Sequence, residues 1–184
     1  MSEHSSTKLT YEDYLQFPDD GLRHEIIGGE HFVTASPVTR HQRISLNLTY
    51  LIRSYLEDHP IGELLYAPVD VILSDTDIVI PDLVYVSRER ASEIIKAKNL
   101  PGPPDLVVEI LSPTTRPRDE RLKRDLYERA GVQEYWLVDP DHDAVQVYRR
   151  TGTGFGAAVR FERGASFSTA LLPELALSID KIFS

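Results

Sequence analysis

Two acidic residues stand where the hydrophobic pattern asks for core side chains. Asp82 interrupts the apolar run at residues 78–86, and Glu109 interrupts the run at residues 105–111. A carboxylate in a core strand must be paired or bound to a cation, because an isolated buried charge is too costly. If neighbouring strands bring these two together, their shared charge calls for a hard divalent cation held by oxygen. Side chains two apart share a strand face, so Asp82 lies with Ile80 and Val84, and Glu109 with Val107 and Leu111. Pro81 has no N–H to give a ladder and places Asp82 at an edge, a bulge or a parting of strands, where a cation fits. Pro113 ends the second run shortly after its acid.

The elements that must position this pair follow from periodicity and punctuation. Residues 10–17 predict a short helix capped by Thr10 and stopped by Pro18. Residues 22–27 and 30–35, joined by Gly28-Gly29, predict a hairpin carrying Glu25 and Glu30. Ile44, Leu48, Leu51, Ile52, Tyr55 and Leu56 recur at three and four, predicting a helix over about 38–57 with His41 in its first turn. Residues 63–73 read as one strand, antiparallel to the run at 78–86 and carrying Asp70; residues 88–98 read as a crossing helix. After the strand at 105–111 come a loop at 112–115, a helix over about 118–130 capped by Gly131, and strands at 134–138 and 144–149. Further β segments are expected at 157–162, 166–168 and 171–177. The fold class is therefore mixed α/β (α+β): a central mixed sheet flanked by helices, with an added N-terminal hairpin and C-terminal β segments. The expected organisation is a tail over residues 1–9 without fixed structure and one domain over 10–184.

Composition narrows the classes. A chain of 184 residues without cysteine excludes disulfide frameworks, thiolate metal sites and cysteine nucleophiles, so any metal sits on oxygen or imidazole. The amino end is polar, and no apolar run approaches the roughly 20 residues of a membrane span; the expectation is a soluble cytoplasmic protein with no membrane partner. A net charge of −9 opposes indiscriminate binding to nucleic acid but leaves room for a local basic groove. Arg116, Arg118, Arg121, Lys123 and Arg124 face only Asp119 and Glu120, and a solvated helix face is the expected setting for most of them.

The ordered set Tyr11-Glu12-Asp13-Tyr14, His24-Glu25-Ile26-Ile27-Gly28-Gly29-Glu30, Ser36-Pro37 with His41-Gln42, Pro81-Asp82-Leu83, Val108-Glu109-Ile110-Leu111-Ser112-Pro113-Thr114-Thr115, and Lys123 to Tyr127 with Glu134-Tyr135-Trp136 resembles a known family. It is similar to the bacterial Uma family of restriction endonucleases, a branch of the PD-(D/E)XK nuclease superfamily with the restriction-endonuclease-like fold. The resemblance spans roughly residues 10–149. It implies a Mg²⁺- or Mn²⁺-dependent endonuclease acting on DNA, with the metal held by Asp82, Glu109 and the backbone carbonyl of Ile110. A homodimer is expected, since two-fold symmetry is the simplest way to cut both strands of a duplex.

The superfamily lysine, two residues after the glutamate, is replaced here by Leu111. Lys123 is the expected substitute. In the helix at 118–130, Leu122, Leu126 and Ala130 predict the buried stripe, and Lys123 borders it beside Tyr127, from where its long stem can carry the ammonium to the acids. Glu25, His41 and Asp70 are possible supporting residues. Each has a plainer role: Glu25 as an edge-strand partner of Arg23, His41 as a solvated first-turn histidine, Asp70 as a turn-facing acid. The alternative function is a catalytically inactive nuclease-fold protein that serves as a nucleic-acid-binding or protein-interaction module; a third option is hydrolysis of RNA or nucleotides by the same acids.

Overall fold

The computed structural model describes residues 8–184. Most of the tail expected over residues 1–9 lies outside the described residues; within them, the Leu9 amide donates to the Gly29 carbonyl at 3.0 Å. The elements in order are α1 (Tyr11–Tyr14), β1 (Arg23–Ile27), β2 (Glu30–Thr34), α2 (Thr39–Asp58), β3 (Gly62–Tyr66), β4 (Asp70–Ser74), β5 (Asp77–Val79), β6 (Leu83–Ser87), α3 (Arg88–Ile94), β7 (Asn99–Pro101) and β8 (Leu106–Ile110). A π-helical turn, Arg118–Lys123, then runs directly into α4 (Arg124–Ala130). They are followed by β9 (Glu134–Asp139), β10 (Ala144–Thr151), β11 (Gly154–Phe155), β12 (Val159–Phe161), β13 (Ser166–Thr169), β14 (Leu172–Ser178) and α5 (Ile179–Ile182).

The larger sheet has the order β11-β10-β9-β8-β6-β3, with β12 also paired to β10. Its β8/β9 pair is parallel and the neighbouring β6/β8 and β9/β10 pairs are antiparallel, so the sheet is mixed. A second sheet, β2-β1-β5-β4-β7, carries the N-terminal hairpin, and β13 pairs with β14 apart from both. Alternation along the strands divides the core in two. On one face Leu83, Tyr85, Val108 and Trp136 pack against Ile44, Leu48, Ile52 and Leu56 of α2 and against the C-terminal elements. On the other, Val84, Val107, Leu111 and Tyr135 pack against Leu126 and Tyr127 of α4 and against Val71 and Val79 of the second sheet. Glu109 shares the face of Val107 and Leu111, which aims it at α4.

Two runs that read as single strands are each divided between the two sheets. Residues 63–73 become β3 in the larger sheet and β4 in the smaller, and residues 78–86 become β5 and β6. A proline lies at each crossing, Pro68 and Pro81, and neither has an N–H to continue a ladder. The expected helix at 88–98 ends at Ile94, and residues 99–101 instead pair parallel to β4. Thr115 in the turn before the next helix is buried, as are Asp119, Lys123, Leu126 and Tyr127 along it, while Leu122 is exposed. The expected Leu122-Leu126-Ala130 stripe is thereby corrected. A wider π turn keeps residues four apart on one face, and 115, 119, 123 and 127 are spaced by four. Among the described residues no helix is long and apolar enough to cross a membrane.

Candidate active site

The crossing between β5 and β6 builds the site. The β6/β8 ladder pairs Leu83–Tyr85 with Leu106–Val108 and goes no further. Beyond it, backbone donors freed by the parting of the strands are taken by side-chain acids. Ile80 N–H donates to Glu25 Oε1 at 2.8 Å, and Ile110 N–H donates to Asp82 Oδ2 at 2.8 Å. Buried backbone donors must be paired, and here two acids of the site pair them, which fixes both carboxylates.

Asp82, Glu109, Glu25 and Lys123 converge on one cleft of about 470 Å³. All four are buried. Lys123 Nζ lies 2.7 Å from Glu25 Oε1, 2.9 Å from Glu109 Oε1 and 3.8 Å from Asp119 Oδ1. Tyr127 Oη also donates to Glu109 Oε1, at 2.8 Å, which leaves Oε2 as the uncommitted oxygen of Glu109. Asp82 is held by three elements: His41 Nε2 at 3.0 Å and Ile110 N–H on Oδ2, and Arg23 Nη1 at 2.7 Å on Oδ1.

Of the three possible supporting residues, Glu25 and His41 lie in the cleft and Asp70 does not. Glu25 does not pair with Arg23; strand β1 is interior, between β2 and β5, so its glutamate points into the cleft toward Lys123 while Arg23 goes to Asp82. His41 is not solvated but buried against Asp82, and its Nδ1 has no hydrogen-bond partner among the described residues. Asp70 does not line the cleft; its carboxylate accepts from Tyr14 Oη at 2.8 Å. Two further residues belong to the site. Asp119 is buried with no hydrogen bond to Oδ1 among the described residues, and Arg118 lines the cleft with Nη2 on Thr34 Oγ1 at 2.7 Å and its guanidinium 5.3 Å from the centre of the Phe32 ring. The four-residue spacing of Asp119 and Lys123 was the one sequence signal for this pair, and it is weak without the π turn.

The electrostatics follow from burial and count. Four carboxyl groups (Glu25, Asp82, Glu109, Asp119) face three fixed cations (Arg23, Arg118, Lys123), so one of the four acids has no cation to match it. Burial pushes the Glu109 carboxyl up to about 8; Asp119, Asp82 and Glu25 add to the rise and Lys123 opposes it. Burial likewise raises Asp119. Burial alone would raise Asp82 too, yet His41 and Arg23 hold it below the usual carboxylate range. Burial works against the Lys123 ammonium, but Glu109, Glu25 and Asp119 hold it far above its ordinary value, so it stays cationic. Carboxyl oxygens are the ligands a hard divalent cation takes, and among the described residues no three His, Asp or Glu side chains already stand together as a ligand cluster.

The model of the Uma2 family, described as "Putative restriction endonuclease", matches residues 11–180. The chain belongs to this family. It is 28% identical over 152 residues to the uncharacterized protein slr1290 of Synechocystis sp., a match that covers 80% of this chain and 77% of that protein. A crystal structure from Anabaena variabilis, described as a putative nuclease belonging to DUF820, superposes with a TM-score of 0.80 at 24% identity, over 95% of this chain and 97% of the other. This Uma2 protein thus shares the fold of that structure.

Proposed function

We propose that this Uma2 protein is a Mg²⁺-dependent endonuclease that hydrolyses phosphodiester bonds of DNA and acts as a homodimer. The observation that carries the reading is the convergence of Asp82, Glu109 and Lys123 in one cleft where acids outnumber fixed cations. Asp82 through Oδ1 and Glu109 through Oε2, with the Ile110 carbonyl, are the groups that would hold the cation. When bound, Mg²⁺ or Mn²⁺ supplies a Lewis acid for the phosphodiester and lowers the pKa of the attacking water.

The chain's own residues do the rest. Lys123 is a permanent cation and cannot serve as the proton acceptor; it orients water and neutralises charge that develops on the phosphate. Its ammonium is fixed by Glu25 and Glu109, so no reorganisation is needed at the moment of reaction. His41 and the Ile110 amide hold Asp82 in one orientation. Leu111 keeps the position of the superfamily lysine apolar, and Lys123 brings the cation to Glu109 from the helix instead.

The test is nicking or cleavage of plasmid DNA in Mg²⁺ or Mn²⁺, with a chelator control. Activity that requires the metal and disappears in folded Asp82→Ala, Glu109→Ala and Lys123→Ala is the expected result. Cleavage at the wild-type rate by these variants refutes the assignment. Folded wild-type protein that binds duplex in the presence of metal and never cuts it favours the inactive binding module.

A further inference from the structure

The two carboxylates of the proposed metal site are neutralised in different ways. Glu109 is matched by Lys123, a buried ammonium also held by Glu25 and Asp119. Asp82 Oδ2 is matched by a backbone amide and a buried histidine. Among the described residues Asp82 Oδ1 has a single partner, Nη1 of Arg23 at 2.7 Å. The Arg23 side chain is 24% exposed, against 3% for Lys123, and makes no other hydrogen bond or ion pair among the described residues. A guanidinium carries five N–H donors in a planar fork suited to two oxygens at once, so most of its donors remain unspent. It also lines the cleft beside the acids.

Resting on the reading above, we propose that Arg23 is an exchangeable counter-ion: it neutralises Asp82 Oδ1 while no metal is bound, and yields that oxygen to the metal and turns to a phosphate of the substrate when one arrives. The partly exposed, singly bonded arginine is the partner that can leave, whereas the buried lysine, held by Glu25 and Glu109, cannot. The oxygen it vacates is the one Asp82 has to offer. Its released fork then faces a phosphodiester, the oxyanion it matches in geometry and charge. Metal and nucleic acid thus bind with positive coupling, because each removes the competitor of the other. The protein avoids an unpaired Asp82 in the empty state and holds no unpaired arginine in the loaded one.

The experiment compares wild type, Arg23→Gln and Arg23→Lys, with Arg40→Gln as a control. Arg40 lines the same cleft but pairs with Asp143 instead of Asp82. Mn²⁺ alone is titrated by calorimetry. A short labelled duplex is titrated by fluorescence anisotropy with and without Ca²⁺. Arg23→Gln is expected to bind Mn²⁺ about tenfold more tightly, the loss of one charge-assisted competitor, and to lose most of the tightening of duplex binding by Ca²⁺. Arg40→Gln stays near wild type in Mn²⁺ affinity, and Arg23→Lys retains part of the coupling. Because His41 and Ile110 still hold Asp82, Arg23→Gln remains folded, which circular dichroism checks. Asp82-dependent Mn²⁺ binding that Arg23→Gln leaves unchanged or weakens overturns the exchange alone. Absence of any Mn²⁺ binding that Asp82→Asn removes overturns the metal reading and the exchange with it.

Discussion

Removing the Lys123 ammonium while keeping its aliphatic volume, as in Lys123→Met, strips the cation from between three buried carboxylates. Glu25, Glu109 and Asp119 stand 2.7, 2.9 and 3.8 Å from Nζ, and none is more than 5% exposed. Removing one partner of a buried ion pair costs about 3–5 kcal/mol, because the remaining charge is left uncompensated in a poor solvent. Proton uptake limits that loss. Glu109 already titrates near 8, and without Lys123 its pKa rises further, so the cost is largest above pH 8 and shrinks toward pH 5.5. Urea unfolding of chelator-treated protein at pH 8.5 and pH 5.5 measures both values. Lys123→Met is expected to lose several kcal/mol at the higher pH and much less at the lower, with Lys123→Met/Glu109→Gln recovering a substantial part at pH 8.5. A cost below about 1 kcal/mol that does not change with pH would show that the ammonium does not carry the charge balance of the site.

Three further outcomes follow from the same geometry. Glu109 is raised from 4.5 to about 8, so the folded protein holds a proton there that the unfolded chain has released; this contribution to stability is complete below pH 4.5 and is lost as pH rises through 8. Metal-free wild type should therefore lose on the order of 3 kcal/mol between pH 5 and 8.5, and Glu109→Gln should flatten the profile measured by urea unfolding. His41→Ala removes the side-chain donor on Asp82 Oδ2 and should weaken Mn²⁺ binding by about 10- to 100-fold in calorimetry while the protein stays folded. Asp70→Asn touches only the Tyr14 contact, so Mn²⁺ affinity should match wild type, and a tenfold loss would return Asp70 to the site.

The order of elements and the candidate acids were legible because they depend on local signals. Alternation marked the strands, the three-four spacing marked α2, and a carboxylate in an apolar run is visible in one dimension. What was hidden depends on partners far along the chain. The run at 78–86 has continuous strand character, and nothing in it tells that β5 pairs with β1 and β4 while β6 pairs with β3 and β8. Pro81 signalled a parting of neighbours, but not that the chain itself changes sheets there. The interior position of β1 reversed the partners of Arg23 and Glu25, since a strand's place in the sheet order decides which of its faces is covered. The π turn was hidden for a different reason: it sets Asp119 and Lys123 on the buried face, and a 3.6-residue template put Leu122 inside instead. His41 carried two readings, supporting or solvated, and only the parting of β6 and β8 beneath it decides for contact with Asp82.

The central claim is that the acids joined at the β5/β6 crossing hold a divalent cation. Calorimetric titration of Mn²⁺ into chelator-treated wild type and Asp82→Asn tests it most directly, because it needs no substrate. Saturable binding in wild type that Asp82→Asn abolishes, with release of a proton at pH 7 as Glu109 ionises, is the predicted result. Equal binding by both proteins, or none by the wild type, would contradict it.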